Sequence, residues 1–280
     1  MSKKNIPSKI ITYIYLIVLF AAVIFPVFYA FISSFKTNRE ILAGLNFFPK
    51  EFITDNYVKA WTLANFARYT WNSLYYTFFS VVTALIISAL TGYVYERGNF
   101  PGKKIIFAAN TSMMFIVLGT TSLYPQIQVL KFFHLNTSLW GLIIMHCFTA
   151  SMMNIYLVKV FCSSLPVQMD ESAKIDGCTF LGIFWRIILP LLKPIMATIG
   201  ILSFKSAWND YLLPMIVTLG NESQRTLPVG LIALKGNSDA AASWELILAG
   251  AMISAIPIII VYLICNKYFI KGLSAGAVKG

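Results

Sequence analysis

Charge is scarce in this chain. Asp, Glu, Lys and Arg make up 12% of its 280 residues, while hydrophobic residues make up 58%. That is about half the charged fraction of an ordinary globular domain, and it excludes a soluble single-domain reading. Acid is scarcer than base, 11 residues against 22, leaving a net charge of +11. No aromatic–basic surface stripe accompanies that excess, so it does not point to nucleic acid. Histidine occurs only at His134 and His146, without metal-ligand spacing, and no nucleophile–base pattern accompanies either one, so no catalytic residue and no metal site is expected. The four cysteines, Cys147, Cys162, Cys178 and Cys265, match no metal-site spacing, and none falls in a predicted outer loop, which excludes a disulfide framework. No G-x-x-x-x-G-K-[ST] pattern is present, so the chain is expected to bind no nucleotide and no cofactor of its own. Internal repeats and low-complexity tracts are also missing.

Long apolar runs are abundant. Six candidate spans, at roughly 10–32, 72–94, 105–128, 138–160, 187–216 and 246–269, are each long enough to cross a hydrocarbon core of about 30 Å as a helix. The expected fold is therefore an all-α polytopic membrane protein with six transmembrane helices, built as one domain over 1–280 with a core of roughly 68–270. The first span is longer than the ~7–15 apolar residues of a secretory signal and lacks a small-x-small cleavage site, so it reads as a membrane helix. With the N-terminus inside, most Lys and Arg fall in cytoplasmic segments, and the positive-inside rule then makes both termini cytoplasmic. This divides the chain into a cytoplasmic N-terminus at 1–9, an extracytoplasmic loop at 35–71 expected to carry short helices, a cytoplasmic loop at 161–186 and a cytoplasmic tail at 271–280. Pro26, Pro125, Pro214 and Pro257 lie inside spans and read as kinks or hinges. Asn136 and Thr137 supply a start signal for the fourth span.

The stretch 164–190 is unlike the rest. Ser164 and Pro166 can open a helix carrying Asp170, Glu171, Ala173, Ile175 and Asp176, and Gly177 can end it in a left-handed cap. Thr179 can then cap a second helix whose apolar residues Phe180, Ile183, Phe184, Ile187 and Ile188 recur at helical spacing and run into Pro190. Ser172, Ala173 and Gly177 would let a partner surface come close, and Glu171 and Asp176 would offer it carboxylates. An amphipathic helix solvated on its charged face fits the same pattern.

Glu171-Ser172-Ala173, Asp176-Gly177 and the Ile187-x-Leu189-Pro190 ending resemble the EAA motif of ABC importer permeases. Further along, RYTWNSL at 68–74, FPGKKIIF at 100–107, LNTSLWGLII at 135–144, WNDYLLPMI at 208–216, TLPVGL at 226–231 and FIKGLSAGAVKG at 269–280 are similar to the carbohydrate-uptake branch, specifically the second permease of maltose-type transporters. The chain departs from that pattern at Ser172 and Cys178, where alanine is usual, and at Gly119-Thr120-Thr121, where span three usually has a proline.

The resemblance implies a permease subunit in a bacterial-type cytoplasmic (inner) membrane. It would form half of a translocation path with a second homologous permease, fed by an extracytoplasmic sugar-binding protein. Two ATPase subunits, or a homodimer, would hold the ATP and Mg. The EAA loop between helices four and five would dock on that ATPase through Glu171, Ser172, Ala173, Asp176 and Gly177. The tail, at Leu273, Ser274 and Lys279, would be a second ATPase contact, and Gly236, Asn237, Ser238 and Asp239 would reach the binding protein. Candidates for lining the path are Asn110, Thr111, Thr120, Thr121, Trp208, Asn209, Asp210 and Tyr211, because buried intramembrane polar groups mark pathways and a sugar needs neutral donors, acceptors and aromatic faces. Lys205 and Asp210 could equally pair structurally with the second permease. A permease for another solute, such as a polyamine or phosphate, and a secondary transporter are the alternatives.

Overall fold

A computed structural model describes residues 6–44, 46–63, 65–116, 118–149, 151–234 and 243–277. Every regular element among them is helical. The α-helices are α1 (Ile6–Ser33), α2 (Asn38–Leu42), α3 (Asp55–Leu63), α4 (Phe66–Arg97), α5 (Lys103–Met113), α6 (Leu123–Phe132), α7 (Leu139–Phe148), α8 (Met152–Ser163), α9 (Gln168–Ile175), α10 (Phe180–Ile183), α11 (Leu189–Leu191), α12 (Lys193–Trp208), α13 (Leu212–Val217), α14 (Leu227–Ala233) and α15 (Trp244–Ala277). A π-helical segment, Phe184–Ile188, joins α10 to α11.

Among the described residues three helices are long and apolar enough to cross a membrane: Lys9–Ser33, Phe66–Arg97 and Trp244–Cys265. Two bent pairs, α7 with α8 and the Phe180–Leu191 arm with α12, raise the number to five if each is one span. The third expected span, 105–128, is not one helix. α5 stops at Met113, and a 3-10 turn at Gly119–Ser122 precedes α6. Thr111 and Ser112 donate their hydroxyls back to Phe107 and Ala108 carbonyls at 2.7 and 2.8 Å, which weakens the helix there, and Gly119 at φ +54° turns the chain away.

The prolines also act differently from expectation. Pro26 and Pro257 lie within unbroken helices, and Pro125 and Pro214 sit in first turns, where a missing N–H costs nothing. The sharp corner, 78°, falls instead between Leu191 and Lys193, where Pro194 opens α12. Proline removes the N–H that would continue the ladder and crowds the residue before it.

The chain divides into two compact units, 1–67 with 230–256, and 68–229 with 257–280. In the first, the window of α1 that fits a membrane has none of its residues buried, so its apolar side chains need a non-aqueous surrounding. The expected outer loop does carry short helices. Thr37 and Glu40 form a capping box on α2, and the Asn56 side-chain amide donates to the Ser34 and Lys36 carbonyls, both at 2.9 Å, tying α3 to the preceding turn. Lys36 is buried, with its ammonium donating to the Asn46 carbonyl and lying over the Tyr29 ring at 4.9 Å.

The second unit has two cores. One gathers Tyr93 of α4, Val158 and Cys162 of α8, Ala173 of α9, Phe184, and Ile195 and Ile199 of α12. The other gathers Tyr76, Leu130, Leu139, Leu142, Ala207 and Val217. α4 and α8 touch almost backbone to backbone at Gly92, where a Cβ would lie 2.6 Å from Val158 Cβ and 3.0 Å from the Ile155 carbonyl. Close approach through small residues is how helices associate where lipid competes for apolar contact.

Candidate functional site

Two features of the second unit carry chemistry. The first is an open cavity of about 420 Å3 between α4, the α7–α8 corner and α12, whose polar lining includes Ser80, His146, Thr149, Asn154, Ser203 and Asp210. Asp210 follows the end of α12 and is held from the side by α4: the Tyr76 hydroxyl donates to its Oδ2 at 2.8 Å. His146 Nε2 lies 3.0 Å from the same hydroxyl. A phenol has one proton, and here it goes to the carboxylate, so His146 donates to the phenol oxygen and carries its hydrogen on Nε2. At a second point on the wall the Asn154 amide donates to Ser203 Oγ at 3.3 Å. Among the described residues no Lys or Arg lines the cavity.

Of the path candidates named above, only Asp210 lines this cavity. Trp208 is 1% exposed and stacks on Phe204, centroids 5.7 Å apart. Asn209 caps α12 by donating its amide to the Lys205 carbonyl at 2.8 Å. Tyr211 stands at the N-cap position of α13 without a side-chain cap bond and is half-buried. Asn110 donates to the Tyr95 hydroxyl at 3.0 Å, and the Thr111 hydroxyl is turned to its own helix. Thr120 and Thr121 are exposed. Lys205 is exposed, and among the described residues neither it nor Asp210 forms an ion pair. Sequence reasoning missed Tyr76 and His146. His146 was the better signal, as the one histidine inside a predicted span.

The second feature is the 164–190 segment. α9 begins at Gln168, two residues past Pro166, and runs to Ile175. Gly177, at φ +78°, ends it as its sequence implies: the Gly177 N–H donates to Lys174 O at 3.0 Å and the Cys178 N–H to Ala173 O at 2.9 Å, a Schellman motif. Thr179 then caps α10, its hydroxyl accepting from the Gly182 N–H at 3.1 Å. Ala173 faces the core at 4% exposure, while Glu171, Ser172, Lys174, Ile175 and Asp176 face outward, Ile175 at 87%. An exposed isoleucine flanked by two carboxylates and a lysine makes a surface with a hydrophobic centre and a charged rim, the anatomy of a docking patch.

The underside of that patch is pinned. Arg97, the last residue of α4, places Nε 2.7 Å from Asp170 Oδ2, and both side chains are nearly buried. Its Nη2 donates to the Leu165 carbonyl at 2.7 Å and the Cys162 carbonyl at 3.2 Å. Beside it Lys159 of α8 pairs with Glu96 of α4 at 3.0 Å. Similar reasoning from spacing alone could not have joined these residues.

Leu273 and Ser274 lie in the helical backbone of α15. Lys279 and the loop positions Gly236, Asn237, Ser238 and Asp239 lie outside the described residues.

The comparisons with known proteins fit this geometry. Residues 4–274 match the family model described as binding-protein-dependent transport system inner membrane component. The chain is 32% identical over 275 residues to the probable ABC transporter permease protein YurM of Bacillus subtilis (strain 168), covering 96% of this chain and 88% of that one. It is 32% identical to the probable starch degradation products transport system permease protein AmyC of Thermoanaerobacterium thermosulfurigenes over the full length of both, and 34% identical to the arabinooligosaccharides transport system permease protein AraQ of B. subtilis, covering 92% and 91%. A chain from the crystal structure of a bacterial ABC transporter involved in the import of the acidic polysaccharide alginate superposes with a TM-score of 0.81 at 24% identity, covering 96% of this chain and 99% of that one. With the family model spanning nearly the whole chain and its apolar helices placed as above, this protein belongs to the multi-pass inner-membrane permeases of binding-protein-dependent ABC transport systems.

Proposed function

We propose that this chain is one of the two permease subunits of an oligosaccharide importer. The observation that carries the reading is the outward face of α9, set on a Schellman turn and a capped helix that lead directly into the α12 arm. A partner that pushes on Glu171, Ile175 and Asp176 moves a rigid element joined to the cavity wall. Family membership supports an ATPase as that partner, and in this reading ATP, Mg and the catalytic groups lie on its side of the interface.

In this reading the chain has six spans with cytoplasmic termini. The 105–128 region crosses as the broken α5–α6 pair, and the α7–α8 and α10–α12 arms cross as bent spans. A second, homologous permease completes the path, and an extracytoplasmic sugar-binding protein delivers the solute, with residues 236–239 as its contact. Glu171, Ser172, Ala173, Asp176 and Gly177 form the ATPase-docking element, and Leu273, Ser274 and Lys279 of the tail form a second contact. Within the cavity Asp210, His146, Asn154 and Ser203 offer donors and acceptors suited to sugar hydroxyls. The names of relatives that carry starch products and arabinooligosaccharides support a neutral oligosaccharide.

One observation favours a second solute class: Asp210 places a carboxylate in a cavity that, among the described residues, has no lysine or arginine, which suits a cationic solute such as a polyamine. The same lining speaks against phosphate. A secondary transporter is set aside by the family assignment. The test is affinity purification of the tagged chain from native membranes, followed by ATPase assays with the co-purifying binding protein and a panel of maltotriose, arabinotriose, galactotriose and spermidine. Recovery of a second permease and an ATPase with turnover stimulated by one of the sugars is the expected result. Stimulation by spermidine alone transfers the assignment to the polyamine reading, and a chain that purifies alone refutes both.

A further inference from the structure

We infer that Arg97 is the positioning residue that transmits force from the docking element to α4, and that its pairing with Asp170 sets the coupling between ATP turnover and transport. The inference rests on the reading of α9 as the ATPase-docking element. One guanidinium makes three connections at the end of a 32-residue helix. Nε lies 2.7 Å from Asp170 Oδ2 in the first turn of α9, an ion pair held by charge and proximity in which neither Asp170 oxygen accepts a hydrogen bond among the described residues. Nη2 meets the Cys162 carbonyl in the last turn of α8 and the Leu165 carbonyl in the linker between α8 and α9. α4, α8, the linker and α9 therefore all meet at one side chain. Guanidinium suits that role because it keeps its charge beside a buried carboxylate while one end of its planar fork reaches two carbonyls at once, a geometry an ammonium cannot reproduce.

Burial makes the junction stiff. The two side chains are 11% and 6% exposed, so water cannot replace either partner cheaply. Ala173 on the same face of α9 packs among Tyr93, Val158 and Cys162, leaving the helix little room to slide once Asp170 is held. Around this junction α4 and α8 are joined twice more, by the Lys159–Glu96 pair and by the close approach at Gly92. Lys103 completes the arrangement by donating to the Glu96 and Gly98 carbonyls at 3.2 and 2.8 Å, which holds the end of α4 against the following turn. α9 contacts the second span through the Arg97–Asp170 pair, so a displacement applied at Glu171 and Ile175 is carried into α4 and the Tyr76–Asp210 side of the cavity, not only into the α10–α12 arm that follows in sequence.

The experiment uses the whole transporter, this chain with its co-purifying permease, ATPases and binding protein, reconstituted into liposomes. Uptake of whichever radiolabelled trisaccharide stimulates the wild type, and ATP hydrolysis, are measured in the same vesicles for wild type, Arg97→Gln, Arg97→Lys, Asp170→Asn, Arg97→Asp, Asp170→Arg and the swap Arg97→Asp/Asp170→Arg. Arg97→Gln is expected to keep the ATPase in the complex and its ATP turnover, while sugar moved per ATP falls by about fivefold or more. Arg97→Lys restores only part of the ratio, and the swap restores more of it than either of its single charge-reversal parents shows. An Arg97→Gln transporter with the wild-type ratio overturns the inference. If Arg97→Gln fails to assemble, the swap decides: recovery of assembly and coupling upholds the pairing, and failure to recover either overturns it. A wild-type complex that moves none of the sugars sinks the importer reading itself, a different outcome from any of these.

Discussion

Replacing Tyr76 with phenylalanine removes one oxygen atom and almost no volume, yet it should unsettle the wall of the cavity. That hydroxyl is the hub between Asp210 on one side, at 2.8 Å, and His146 on the other, at 3.0 Å. Tyr76 itself is 1% exposed, so no water stands ready at its position. Each lost hydrogen bond is worth about 0.5–1.5 kcal/mol net, with the carboxylate one at or above the upper end. Asp210 is only half-buried and can recruit water from the cavity, which returns part of the loss. The expected cost of Tyr76→Phe is therefore about 2 kcal/mol, and at roughly 2–4 °C per kcal/mol for a chain of this size the midpoint should fall by about 4–8 °C. Asp210→Asn keeps an oxygen for the phenol to donate to and should cost about half as much. Tyr75→Phe is the control, since that side chain stacks on Trp140 at 5.9 Å through its ring and, among the described residues, makes no hydrogen bond. The assay is thermal unfolding of a fluorescent fusion in detergent, followed by size-exclusion chromatography. Equal shifts for Tyr76→Phe and Tyr75→Phe would refute the hub.

Gly177→Val should weaken the α9 exit through backbone strain alone, by about 1–2 kcal/mol, because nothing lies within 4 Å of a Cβ there but φ is +78°. Gly177→Asn should be milder, and the amount of ATPase that co-purifies with each variant measures the difference. Gly92→Leu must drive α4 from α8, since even a Cβ would meet Val158 at 2.6 Å, and should cost at least about 3 kcal/mol, read as loss of folded chain in membranes. Glu171→Arg, on an exposed surface, should leave thermal unfolding within about 1 °C of wild type while releasing the ATPase from the purified complex. A fall in both would place Glu171 in the fold rather than at the interface.

How much of this was legible beforehand depends on the distance along the chain over which each feature is determined. Local chemistry read well. The Asp176-Gly177-Cys178 exit and the Thr179 cap follow from which residues tolerate a left-handed backbone and which offer a side-chain acceptor to a free N–H, and both are present. Small offsets mark the limit of that reading: Ser138, not Asn136 or Thr137, accepts from the Trp140 N–H and caps α7, and the helix expected at Pro166 begins at Gln168. Hydropathy located the apolar stretches but not their continuity, because a hydropathy window does not register Pro194, Gly119 or the back-bonding of Thr111 and Ser112. The contacts that build the sites were out of reach. Tyr76 finds Asp210 across 134 residues and Arg97 finds Cys162 across 65, pairings decided by how helices pack and by no pattern within either helix. Trp208 shows the opposite error: an aromatic ring beside a polar pair suggested a sugar platform, and packing buried it.

The corner at Pro194 works as a bell crank. Its shorter arm, from Phe180 to Leu191, is about 18 Å long at 1.5 Å per residue, and its longer arm, α12, about 24 Å. With a bend of 78° between their axes, a push crosswise to the end of the shorter arm swings the end of the longer arm in a direction turned by nearly a right angle. The ratio of the arms amplifies that stroke by about a third. Ser203 and Ala207 ride on the longer arm, and Asp210 sits just past its end, so a swing of that arm shifts this side of the cavity wall. A straight helix of the same length would act as a piston and leave that wall where it was. The bend that separates the two cases is set in the first turn of α12, at Pro194.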